Sequence, residues 1–186
     1  MFGITKQDSL IVKGLKLSVF FTIFLTPIVF STKHIYFFTT PKYVLMSFLG
    51  SICLVLLVFH LLETKFLIDK KIKFFLCLSV VFIFWLFLSS FFGADFTTSI
   101  WSNFGRHTGF LTYFYGFVLF FASIFVFNKE TLYAPLKALT LGGALAALSV
   151  YFSPALLNVD LLFSNSSGNG GTFGNTTYAG IFLAFS

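Results

Sequence analysis

Long apolar runs separated by short polar connectors set the pattern of this chain. Runs from about Leu15 to Phe30, Tyr43 to Leu62, Phe74 to Phe92, Phe110 to Phe127 and Ala138 to Phe152 follow one another. Each approaches the ~20 residues, at 1.5 Å per residue, that a helix needs to cross a hydrocarbon core of ~30 Å. A further run begins at Thr177 and reaches Ser186 after about ten residues, which is ~15 Å of helix, or half a crossing. The pattern predicts an all-α integral membrane protein: a polytopic bundle of five full transmembrane helices and a truncated sixth, in a single domain. The incomplete last run leads us to expect the N-terminal portion of a longer protein. Pro27 falls near the far end of the first run, where neighbouring helices or Ser/Thr hydroxyls can satisfy the carbonyl it frees.

The connectors alternate in character. Lys6, Lys13 and Lys16, then Lys65, Lys70, Lys71 and Lys73, then Lys129 and Lys137 fall on one side of the runs, and only Lys33, Lys42 and Arg106 on the other. That bias places the N-terminus in the cytoplasm. Three connectors then face outward: Ser31 to Lys42, Gly93 to Gly109, and the Ser/Asn/Gly-rich Ser153 to Thr176, whose composition reads as flexible loop. The lysines ahead of the first run also fit a secretory signal, but no small-x-small cleavage site follows Phe30, so a retained helix is expected.

Composition strengthens this picture. Of 186 residues, 58% are hydrophobic, 10% are charged and 31 are Phe, and the mean hydropathy is +0.96. A water-soluble domain needs far more charge to cover its surface. The net charge of +6 would suit nucleic acid if it were one patch, but the lysines sit at the ends of runs, so topology accounts for them and no nucleic-acid partner is expected. Cys53 and Cys77 lie inside apolar runs and act as small hydrophobes. No Cys/His spacing suggests zinc, and no cofactor is implied.

Candidate chemistry concentrates in the outward connectors. Trp101 suits the headgroup level, where an indole keeps one end wet. Arg106 is the sole arginine of the chain. Its guanidinium either snorkels to lipid phosphates or presents a planar fork of donors to a bound phosphate or diphosphate. His107 beside it reads as a loop residue or a base. Gly174 and Asn175 lie in the segment entering the last run, where glycines allow close backbone approach and Asn175, Thr176 or Thr177 can cap a helix. The free N–H groups of that helix start would face an anion, and an ordinary turn and cap is the plain alternative. His60 and Glu63 lie three apart, as a pair or as a polar helix end. Asp95 and Asp160 are single carboxylates and make no catalytic dyad. No ionisable residue is expected at the centre of a span, which argues against an ion-coupled pump.

The order of Trp101-Ser102-Asn103-Phe104-Gly105-Arg106-His107-Thr108-Gly109, a span, and later Gly171-Thr172-Phe173-Gly174-Asn175-Thr176-Thr177-Tyr178-Ala179-Gly180 resembles the N-terminal third to half of the O-antigen ligase and polymerase family. The resemblance implies a glycosyltransferase of the bacterial inner membrane. Such an enzyme moves a glycan from an undecaprenyl-diphosphate carrier to a lipid, protein or glycan acceptor on the outer face. It implies diphosphate binding by Arg106, with Trp101, Gly174 and Asn175 beside it, and no catalytic residue within this stretch. The family's base is a histidine in a later outer loop, and neither His34 nor His107 matches it. Thr108 stands where many relatives have an acidic residue, and Thr176-Thr177 where they have Pro-Asn, which leaves glycan and acceptor open. A transporter or flippase fragment and a non-enzymatic scaffold are the other classes the same topology admits.

Overall fold

The computed structural model describes residues 8–29, 39–63, 70–102 and 109–156, and among these it holds helices and no strand. The elements are α1 (Leu10–Leu25), α2 (Thr39–Glu63), α3 (Lys70–Phe91), α4 (Phe96–Trp101), α5 (Phe110–Val126) and α6 (Tyr133–Leu156). The expected last run, 177–186, lies outside the described residues.

Two helices, Thr39–Glu63 and Lys73–Phe91, are long and apolar enough to cross a membrane. Helices Phe110–Val126 and Tyr133–Leu148 are apolar and shorter. Among the described residues five full spans are not shown, and what is shown is a helical bundle with two helices long and apolar enough to span.

Helix boundaries follow local chemistry. Ser9 caps α1 by accepting a hydrogen bond from Val12 N at 3.3 Å, so the helix starts ahead of the apolar run that begins at Leu15. It stops at Leu25 because Pro27 has no N–H to continue the ladder, and the chain closes in a turn with Ile28 N and Val29 N both on the Leu25 carbonyl. Between α5 and α6 the side chains of Asn128 and Thr131 cap each other's backbone, Asn128 N donating to Thr131 Oγ1 and Thr131 N to Asn128 Oδ1, each at 3.0 Å. Pro135 then falls in the first turn of α6, where a missing N–H costs nothing.

The core joins three helices: Leu15 and Val19 of α1, Cys53 and Leu57 of α2, and Val118, Ala122 and Val126 of α5. Helix α6 packs on α1, and α3 packs on α5 at the opposite flank. Gly14 of α1 meets Leu56 of α2, while Lys42 at the start of α2 donates to the Pro27 carbonyl at the end of α1, so these two helices run antiparallel.

Lys16, expected among the lysines that flank the first run, is carried inside α1. It sits within α1, only 3% exposed, with its ammonium 2.9 Å from Asp8 Oδ2. The helix begins early enough to carry it inside, and the carboxylate of the preceding segment makes burial tolerable. His60 is likewise buried, whereas Glu63 is exposed at the end of α2.

Candidate functional site at the head of the bundle

The described part of the site is built around a helix too short to show a period in sequence. Asp95 caps α4: its Oδ1 accepts from Thr97 N at 3.0 Å and Thr98 N at 3.3 Å, and its Oδ2 accepts from Thr98 Oγ1 at 2.5 Å. These donors, the Thr98 hydroxyl first, favour the charged form and hold the Asp95 carboxyl below the usual carboxylate range. Aromatic edges seat the helix, with the Phe96 ring 5.5 Å from Phe91 at the end of α3.

The α4 helix ends at Ser102, whose φ of 72° turns the chain into the left-handed region. Beyond the connector, Gly109 begins α5 and lays its backbone directly on that of Ile100 and Ser102. The two ends of the tryptophan-to-glycine segment therefore meet.

The start of α2 comes to the same place. Its residues Tyr43, Ser47 and Ser51 share a groove of about 570 Å³ with Trp101 of α4 and Leu111 and Tyr115 of α5. The floor forms because Gly50 has no side chain: a Cβ there would lie 2.7 Å from Tyr115 Cδ1. The hydroxyls of Ser47, Ser51 and Tyr115 are hydrogen-bonded. Ser47 Oγ donates to the Tyr43 carbonyl at 2.6 Å, Ser51 Oγ to the Ser47 carbonyl at 2.7 Å, and Ser51 Oγ and the Tyr115 hydroxyl are bonded at 3.1 Å. What the groove presents outward is hydrocarbon and aromatic ring, including Phe48 at 64% and Trp101 at 59% exposure.

Of the residues singled out in the sequence, Trp101 is placed on this groove, and Arg106, Gly174 and Asn175 lie outside the described residues. The groove brings in Tyr43, Ser51 and Tyr115, which sequence reasoning passed over. Their one trace was the spacing of Tyr43, Ser47 and Ser51 at successive fours on an otherwise apolar helix. Among the described residues no group of three or more His, Cys, Asp or Glu is placed to hold a metal.

No protein-family model matches the chain, and no curated protein or solved structure matches it at a significant level.

Proposed function

We propose that this chain is part of a multi-pass membrane glycosyltransferase that takes a glycan from an undecaprenyl-diphosphate carrier on the outer face of the bacterial inner membrane. The membrane part draws on α3. Over Lys73–Phe91 none of its side chains is buried, and Phe75, Leu78, Val81, Phe84 and Trp85, which cover one half of the helix surface, are each more than half exposed. A helix that packs one face on α5 and leaves a broad apolar face open is at home in lipid. The hydroxyls agree, since Thr22, Thr26, Ser79 and Ser123 each donate to the carbonyl four residues back, the arrangement lipid demands of polar groups.

The single observation that carries the transferase reading is the order of the two motifs, Trp101 to Gly109 and then Gly171 to Gly180. Its supporting geometry is the closed neck where Gly109 meets Ile100. Arg106 precedes Gly109 by three residues in the sequence. In this reading the guanidinium holds the diphosphate and offsets charge developing on the leaving group.

Membranes carrying the full-length protein test the reading with an undecaprenyl-diphosphate glycan as donor. Arg106→Ala should cut transfer by about a hundredfold or more while insertion persists. Undiminished transfer, or carrier translocation without transfer, would replace the enzyme with a scaffold or a flippase.

A further inference from the structure

Helix α3 opens with Lys70, Lys71 and Lys73 and carries no acidic residue along its length. Asp69 is the one acid adjoining these three lysines in sequence. Lys73 is exposed and, among the described residues, in no ion pair. Directly after it begins a stripe of Phe74, Leu78, Val81 and Trp85, each more than half exposed, which fall within about 60° of one another around the helix. The stripe lies across the helix from the partly buried Ser79, Ile83, Leu86 and Ser90, where α3 packs on α5. It is ~16 Å long, against the ~15 Å of hydrocarbon in one leaflet. Since Phe82 meets Phe117 and Phe87 meets Phe110, α3 runs antiparallel to α5, and the exposed Lys129 and Lys137 stand at the same end of the bundle, Lys129 beside Glu130.

We propose that this face of α3 binds an anionic phospholipid of the adjoining leaflet, its phosphate at the level of Lys70 to Lys73 and one acyl chain along the stripe from Phe74 to Trp85. A row of cations at the end of an open apolar helix face is complementary to an acidic headgroup, and a stripe one leaflet long suits a single chain. A second apolar helix would use the stripe without needing the lysines. The lysine end of α3 is the end away from Trp101, so this site and the lipid-diphosphate site proposed above do not overlap. The inference rests on the membrane part of that reading and not on glycan transfer.

The test uses the full chain in phosphatidylcholine nanodiscs, with Trp85→Phe and Trp101→Phe removing its own tryptophan fluorescence and Leu78→Trp reporting from within the stripe. Resistance of the chain to alkaline extraction from cell membranes is scored separately, so that loss of the membrane reading is told apart from loss of the site. Phosphatidylglycerol brominated in mid-chain should quench the Leu78→Trp variant as though enriched about fivefold over phosphatidylcholine brominated alike. Lys70→Gln, Lys71→Gln and Lys73→Gln together should abolish that preference, whereas Lys129→Gln with Lys137→Gln should leave it. Equal quenching by the two lipids, a preference that survives the triple variant of α3, or one lost with Lys129 and Lys137 would overturn the site. In a chain that resists extraction, no quenching by either lipid would overturn it too, by showing the stripe covered by protein. Displacement of the brominated lipid by undecaprenyl phosphate but not by unlabelled phosphatidylglycerol would also overturn it, and give the face to the carrier.

Discussion

The backbone of Gly109 lies so close to that of Ile100 that a Cβ at position 109 would stand 2.5 Å from the Ile100 carbonyl oxygen and 2.6 Å from Ser102 N. The φ of Gly109 is −74°, which any residue adopts, so the demand for glycine here is one of space. This contact joins the end of α4 to the start of α5 and fixes both sides of the connector that carries Arg106.

Gly109→Ala should therefore loosen the head of the bundle. The obstructing atoms are backbone and cannot swing aside, so the cost is expected at about 1–3 kcal/mol. Gly116, within α5, is the matched control, because nothing lies within 4 Å of a Cβ built there. Gly116→Ala should raise stability by up to ~1 kcal/mol through helix propensity alone. Thermal unfolding of the two variants in detergent would show opposite shifts, and equal shifts would contradict the close approach.

At the far end from α4, the Asp8–Lys16 pair joins a buried ammonium to a partly buried carboxylate, with side chains 3% and 14% exposed. Removing only the carboxylate leaves an ammonium in a low-dielectric setting, so Asp8→Ala should cost about 3–5 kcal/mol. Lys16→Met keeps the packing of the stem and removes the charge, and it should cost much less. The double variant should resemble Lys16→Met, and a double-mutant cycle of denaturant unfolding would give the coupling. Additive losses would mean that the ammonium is stabilised by something other than Asp8.

How much of this was legible in the sequence depended on whether the signal was local. The apolar runs located the middles of α2, α3 and α5, because a run near helix-spanning length needs no tertiary partner to be recognised. Helix α4 was passed over since Phe96–Trp101 is under two turns and shows no period, although Asp95 followed by Thr97 and Thr98 is a cap signature. Lys16 was read as a flanking charge because lysine position is ordinarily a topological signal, while Ser9 ahead of Leu10 already marked an earlier helix start. The groove was not legible at all. It exists only because Gly50 lets Tyr115 of a helix more than sixty residues away lie against α2.

The Asp95 cap gives α4 a defined response to acid. Because hydrogen bonds from Thr98 and Thr97 hold the folded carboxyl below its ordinary value of 3.8, the cap's contribution is whole above that value and is lost as pH falls through the lower folded one. Asp95→Asn keeps an acceptor for Thr98 N but does not titrate. In a Trp85→Phe background, Trp101 fluorescence should change across the acid transition in the parent and stay flat with Asp95→Asn. A change of the same size in both would place the acid-sensitive group elsewhere.

The two tryptophans offer the sharpest check on how the bundle sits, since Trp85 and Trp101 are the only ones in the chain and both are exposed, at 69% and 59%. Trp85 lies three residues beyond Phe82, the midpoint of Lys73–Phe91, hence about 5 Å along the axis from the centre of that helix. Trp101 ends α4, past the end of α3. In a bilayer with α3 as a span, Trp85 faces acyl chains and Trp101 the headgroup region. In single-tryptophan variants made by Trp→Phe exchange, lipids brominated deep in the chain should quench Trp85 more than Trp101. Lipids brominated near the glycerol should do the reverse. If neither residue were quenched, α3 would not meet lipid and its bare apolar surface would have to be covered by protein. If Trp101 were the deeper of the two, α4 would dip into the core, and the aromatic rim of the groove would no longer mark the headgroup level.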